Sequence, residues 1–496
     1  MHPILNLPLF SIILTLMAAV ITSLLRPRAA RIFTAAIILL VSAMSACVLV
    51  HVLRTGESTA YMMGHFPAPW GNEIRIGVFE ALTIACLMPV FLFSFLGGMK
   101  IGIQQIEQSK YNLFCISLLL ILLSLQALVY TNDVFTAFVF LEISTLAAAG
   151  LVMSRQIGRG LVAAMRYMIM NLLGSSLFLI GIVVLYTVTG HLLMSPVREQ
   201  VAALHATGQY RVALQLLVGL ITAGLAVKSA LFPFDQWLPG AYGNATPTGS
   251  AILSSIVSKG YIFLLIKVYV RVIGMDVIRD LGICDVLFAY GAFGMVMGSV
   301  HAVRAKTVRM MVAYSSAAQI GYIYIALGLG TEMGIVVAVW HVLAHAMLKS
   351  MLFIAASRLD LSSGGSHWIA DLRGGFYRSP AAALAFALGA FAMAGVPMLS
   401  VFVTKITLAQ GAVAVGGRHM IITLVCLTIS TFLNVLYFMR SGVMLFIPER
   451  ERTYAPAPSD TLATASLIGF IVMNLAMGAF AAGIFSALGD GLSHFA

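Results

Sequence analysis

Four lysines and one glutamate, Lys228, Lys259, Lys349, Lys405 and Glu142, stand inside apolar runs long enough to cross a lipid bilayer. Charges at that depth are costly unless paired or watered, so they mark ion pathways by default. All five titrate, and the chemistry they suggest is proton transfer. A carboxylate beside a buried lysine can govern its hold on a proton, and a lysine taken out of water can exchange near neutral pH. Plainer readings stand beside this one. Glu142 could stay protonated and bond a neighbouring hydroxyl, and Lys228 could snorkel to the headgroups. Lys259, ten residues into its run, is too deep to snorkel easily.

His341, His345 and Lys349 follow at intervals of four, on one face of a helix. A metal would need a third ligand nearby, and two histidines one turn apart cannot clasp a haem from opposite faces. A proton wire suits them better, since imidazole donates, accepts and titrates nearest neutral pH. Simple packing of one histidine stays open. Tyr314-Ser315-Ser316 with Gln319 offers a hydroxyl-rich face that could hold water. Arg166 and Asp285 fit either an interface or a functional role.

These residues need a frame, and composition supplies it. Of 496 residues, 60% are hydrophobic and only 9% are charged, with a net charge of +11. Mean hydropathy is +1.00. No soluble core is this apolar, so the fold class is an all-α polytopic membrane protein. The positive charge belongs to orienting loops rather than to a nucleic-acid surface. Cys47, Cys86, Cys115, Cys284 and Cys426 lack metal-ligand spacing and read as small core residues. The first apolar stretch is too long for a signal segment and reads as a retained helix.

A helix needs roughly 20 apolar residues to span. Breaks in the pattern give fourteen spans: 3–25, 32–53, 77–99, 111–131, 134–154, 161–189, 210–232, 249–272, 281–301, 307–330, 332–356, 380–415, 419–447 and 461–487. Loops after odd-numbered spans carry 16 Lys or Arg, Arg450 and Arg452 among them, against 8 after even-numbered spans. The bias puts odd loops in the cytoplasm and both termini on the outer face of the cell's inner membrane. The longest loops, near 54–76 and 357–379, leave no room for a soluble domain. Ser195, as N-cap, and Pro196 open a short helix near 196–206. Nothing beyond the fourteenth span is expected to form another element.

Two spans are interrupted. The seventh meets Pro233 just after Lys228, and the twelfth carries Gly395-Val396-Pro397 eight residues before Lys405. Proline removes a helix hydrogen bond, and freed carbonyls inside a membrane are tolerated only where protein or water meets them. Asp235 to Pro239 and Asn244 to Thr248 then form a kinked re-entry to the eighth span. Two broken helices five spans apart, each with a lysine, suggest an internal repeat, inverted because five is odd. The organisation is a three-helix segment 1–110, half-channels 111–272 and 281–447, and a C-terminal helix 448–496.

Together these residues resemble the antiporter-like subunits shared by respiratory complex I, membrane-bound hydrogenases and Mrp-type multi-subunit Na+/H+ antiporters. The stretches that carry the resemblance are Ala226 to Phe234, Trp237-Leu238-Pro239 and Ala245 to Thr248. Ala313 to Ser316, Gln319 to Tyr322, His341 to Ala346, Lys349-Ser350 and Gly395-Val396-Pro397 complete the series. The resemblance implies fourteen helices in two inverted five-helix repeats, broken at helices seven and twelve. It implies that Glu142 and Lys228 pair in the first half-channel. Lys259 would then be the central relay, with His341, His345 and Lys349 leading to Lys405. A lysine at 405, together with Gly64 to Gly71, is similar to the D-type subunit, whereas Asp235 replaces the family's usual histidine or similar polar residue.

The function implied is a proton-translocating, or Na+/H+-antiporting, subunit of a hetero-oligomeric pump. It would perform no catalysis alone and serve as the ion channel of an oxidoreductase complex such as a hydrogenase or NADH dehydrogenase. The alternative is the D-type subunit of a gradient-driven antiporter. No Fe–S or nucleotide motif is present, so Fe–S, flavin or NiFe centres would belong to partner subunits. A haem or quinone subunit, a solute transporter and a scaffold fit less well. Histidine pairs at matching depth, a solute pocket and an absence of buried lysines, respectively, would be their signs.

Overall fold

The computed structural model describes residues 3–56, 58–63, 66, 71–448 and 459–495. Among these, thirteen helices are long and apolar enough to span a bilayer, from Ile4–Leu24 to Thr461–Ala479. Two shorter apolar helices, Pro380–Ala394 and Ser400–Val415, make up the interrupted twelfth span. Most expected spans are recovered within a few residues, while the third and eleventh run on to Gln105 and Ser362. Arg450, Arg452 and all of Gly64 to Gly71 except Phe66 and Gly71 lie outside the described residues.

The less apolar spans hold the protein's middle, because polar side chains are costly against lipid while the most apolar helices can face it. The eighth span, Pro247–Ile273, and the eleventh, Glu332–Ser362, are buried along their most apolar windows, and the tenth, Val308–Gly328, nearly so. The first, second and last spans keep most of their surface outward. Glycines let the central helices close up: a Cβ at Gly174 would stand 2.8 Å from the Gly224 carbonyl and 2.9 Å from the Lys228 stem.

Both expected breaks are present, and each contains a non-glycine residue in the left-handed region, Ala230 at φ +60° and Met398 at φ +69°. Non-glycine side chains resist that conformation, so surrounding packing must hold it. The seventh span ends at Ser229, and a short helical re-entry, Phe234–Trp237 then Leu238–Asn244, leads to the eighth. The Trp237 indole donates to the Val227 carbonyl at 3.2 Å, fastening the re-entry to the end of the seventh span.

The structure corrects three expectations and adds an element to one loop. The loop near 54–76 holds an antiparallel pair, β1 (Thr59–Met62) and β2 (Glu73–Ile76). Along β2, Glu73 and Arg75 alternate with the buried Ile74 and Ile76. The short helix runs Met194–Thr207 with Leu193 at its N-cap position, so Ser195 lies inside the first turn and caps nothing. The last span stops at Ala479, and a separate helix, Ala481–Ser493, follows the turn at Phe480. Of the cysteines, Cys115 and Cys284 are buried, Cys86 and Cys426 half-buried, and Cys47 exposed.

Candidate functional site

Glu142 faces Lys228 across the fifth and seventh spans, with Oε1 3.5 Å from Nζ. The lysine is sealed, while the glutamate side chain keeps 24% of its surface. Lys228 also donates to the Thr145 hydroxyl at 2.7 Å, and the Ser175 hydroxyl donates to the Glu142 carboxylate. Thr145 lies three residues after Glu142, so one helix turn supplies both acceptors. Snorkelling is overturned for Lys228: the break after Ser229 and the fit of Gly174 against its stem hold it inside the protein.

Tyr261 of the eighth span packs on this pair. Its ring lies 5.2 Å from the Lys228 ammonium, and its hydroxyl is 3.4 Å from both Ser144 and Thr145. Two residues earlier, Lys259 donates to the Ser254 carbonyl at 2.5 Å and Ser258 at 3.2 Å. Ser254 lies in a π-helical turn, Leu253–Val257, where the wider spacing loosens the ordinary carbonyl pairing.

The eleventh span, which carries His341, His345 and Lys349, packs on the eighth, which carries Lys259. His341 and His345 stack with ring centres 5.8 Å apart, and His341 shares a 3.0 Å hydrogen bond with Thr404. Among the described residues, neither ring nitrogen of His345 has a protein partner, and neither does the Gln319 amide of the tenth span. Buried polar groups of this kind call for water, which would complete a wire here. Lys349 donates to the Ser315 hydroxyl and to the Val312 carbonyl at 3.1 Å.

Thr404 leads on to Lys405, which donates to the carbonyls of Met393 and Ala394 at 3.3 and 2.9 Å. These are the last carbonyls of the first half of the broken twelfth span, with no further turn to bond them. The break at Gly395-Val396-Pro397 therefore builds the seat that Lys405 occupies. Lys405 is half-buried, like Glu142 and unlike every group between them.

Other sequence candidates fall elsewhere. Asp285 is exposed and pairs with Arg418 at 2.8 Å and His419 at 2.9 Å, tying the ninth span to the thirteenth. Arg166 is exposed on the sixth span. Asp235 is buried in the re-entry.

Among the buried charges that escaped the sequence reading, three lie on or against the eighth span. Arg271 and Glu80 form an ion pair at 2.6 Å, with 2% and 1% of their side chains exposed. Lys267 donates to the carbonyls of Leu128, Val129 and Thr131, capping the fourth span's C-terminal end. Arg271 also donates to the Phe495 carbonyl at 2.5 Å and stacks on that ring at 3.9 Å. In sequence both cations stand at a span end, where interface charges are ordinary.

Residues 131–431 match the family described as NADH:quinone oxidoreductase/Mrp antiporter, TM. A NADH-quinone oxidoreductase subunit N of Desulforudis audaxviator is 31% identical over 443 residues, covering 88% of this chain and 85% of the relative. The D-type subunit of a Na(+)/H(+) antiporter of Alkalihalophilus pseudofirmus is 26% identical, covering 80% of this chain and 77% of the relative. Among solved structures, a chain of the membrane-bound sulfane sulfur reductase, an archaeal respiratory membrane complex, superposes with a TM-score of 0.86. It is 26% identical, and the match covers 99% of this chain and 96% of that one.

Proposed function

The chain belongs to the NADH:quinone oxidoreductase/Mrp antiporter membrane family, and from that membership we propose that it is a proton-translocating subunit of a multi-subunit pump. The observation that carries the proposal is the set of buried groups on adjoining spans: the Glu142–Lys228 pair with Tyr261 against it, Lys259 on the same span as Tyr261, and the stacked His341 and His345 with Lys349 on the eleventh, His341 bonding Thr404 beside Lys405. Its two half-buried ends suit contact with neighbours, and its sealed middle keeps protons from leaking.

Each lysine has an oxygen seat that serves an ammonium, and Lys228 alone among them has a carboxylate within 4 Å among the described residues. Charges about 4 Å apart attract by roughly 4 kcal/mol at an effective dielectric near 20. A change in an adjacent subunit that draws Glu142 away removes that attraction and releases the proton towards Lys259. The histidines, with Lys349 alongside, pass it by way of His341 and Thr404 to Lys405, from which it leaves. Residues 111–272 and 281–447 would act as two inverted half-channels in an inner membrane, with both termini outside.

We read the driving force as a redox arm in partner subunits, where any Fe–S, flavin or NiFe centre would sit. The name of the oxidoreductase relative supports this, and the name of the antiporter relative supports a gradient-driven exchanger instead. Mass spectrometry of the complex purified through a tag on this chain separates them. Co-purifying redox subunits identify the former, and small hydrophobic partners alone identify the latter. Lys228→Ala in an assembled complex is expected to abolish transport, and normal proton flux there would overturn the proposal.

A further inference from the structure

The sixth span, Gly158–Thr189, places Arg159 and Arg166 two turns apart on one face. Both are exposed, and neither forms a hydrogen bond or ion pair with another described residue. Arg166 starts about 12 Å down the helix at 1.5 Å per residue, too deep for free solvation by bulk water. Helical side chains lean towards the N-terminal end, so Arg166 reaches back towards the level of Arg159. The pair thus converges at the depth of a headgroup rather than at the membrane centre.

Below them lies a groove. A cavity of about 440 Å³ is lined by both arginines with Gln236 and Trp237. A second of about 610 Å³ shares Arg166, Gln236 and Trp237 and continues to Ile169 and Phe234. The sequence of surfaces is cationic, then amphipathic, then apolar. We propose that this groove between the sixth span and the re-entry binds an anionic phospholipid. Its phosphodiester is held by Arg159 and Arg166, and one acyl chain lies along Ile169 and Phe234.

The chemistry favours lipid over an acidic side chain from another subunit. A carboxylate would satisfy the guanidiniums and leave the apolar length beyond Arg166 unfilled. A phospholipid fills both, and basic pockets between spans select anionic headgroups. The Trp237 side chain that forms the groove wall also holds the Val227 carbonyl, one residue from Lys228.

The test is lipid retention, measured by native mass spectrometry of the intact complex supplied with phosphatidylglycerol or phosphatidylcholine. Wild type is expected to keep a phosphatidylglycerol that phosphatidylcholine does not replace and that millimolar inorganic phosphate does not displace. Arg159→Gln with Arg166→Gln should weaken it roughly tenfold or more. Arg166→Lys should retain it, and Val162→Trp, which narrows the groove, should lose it with both arginines intact. Equal retention in every variant would overturn the proposal, as would displacement by free phosphate. Loss of a neighbouring subunit with lipid unchanged would assign the arginines to a protein contact. Because lipid is what is counted, the result stands apart from whether the chain moves protons.

Discussion

Lys228 and Glu142 stand 3.5 Å apart, yet each also has a hydroxyl of its own: Thr145 accepts from the lysine, and Ser175 donates to the glutamate. A second resting place on both sides lets the pair separate without stranding either charge. Glu142→Gln keeps the shape and the Ser175 contact while removing the charge. Proton uptake by inverted vesicles is expected to fall by about tenfold or more, on the strength of a lost attraction of roughly 4 kcal/mol. Thr145→Val, which removes only the alternative acceptor, should slow transport less. An assembled Glu142→Gln complex that pumps at the wild-type rate would sink the switching role.

Among the described residues, neither ring nitrogen of His345 has a protein partner, and its ring stacks on His341. His345→Ala should therefore cost little stability and much flux, on the order of 10²-fold, the scale of a positioned proton-transfer group. His345→Gln can hold water but cannot shuttle a proton through its ring, and should recover little. Loss of assembly with unchanged flux per complex would return the residue to packing.

Gly395 adopts φ +91°, and a Cβ there would lie 2.9 Å from the Lys405 ammonium. Gly395→Ala should cost about 1–2 kcal/mol from backbone conformation alone. It should also push Lys405 off the Met393 and Ala394 carbonyls. Thermal unfolding of the purified complex reads the first effect, and vesicle proton uptake the second. Retention of both at wild-type levels would show that the lysine seat does not depend on the break.

Lys267 is expected to act differently from the other buried lysines. Lys267→Met leaves three carbonyls at a helix end without their donor and should cost about 2 kcal/mol or more. Flux per assembled complex should be unchanged. The opposite pattern, a stable complex with poor flux, would add Lys267 to the relay.

Arg271→Met strands a fully buried Glu80 and should destabilise by about 3–5 kcal/mol. Combining it with Glu80→Leu removes the stranded charge and should restore much of the loss. Differential scanning of the two purified complexes gives the comparison, and equal instability would show that Arg271 works mainly through Phe495.

Span positions and both breaks were legible because they are written locally, in runs of apolar residues and in Pro233 and Pro397. The relay lysines were legible because mid-span charge is rare. Their seats were not: Thr145, Ser175, Ser315 and the Met393 carbonyl meet the charges only through tertiary packing or a helix end. Lys267 and Arg271 were missed for a related reason. A cation at a span end reads as an interface charge, and only the neighbours that enclose it distinguish burial from snorkelling. The Phe480 turn carries no proline, so apolar residues on both sides read as one helix.

The four relay lysines share one carboxylate, and the other three rest on neutral oxygens. Neutral oxygens solvate an ammonium without cancelling its field, so neighbouring protonated sites repel each other. The interior therefore tolerates few uncompensated cations at once. A proton arriving at one end raises the energy of the next occupied site and drives its occupant onward. Stoichiometry would then be set by crowding along the line, and the single anion at Glu142 would decide when the queue advances.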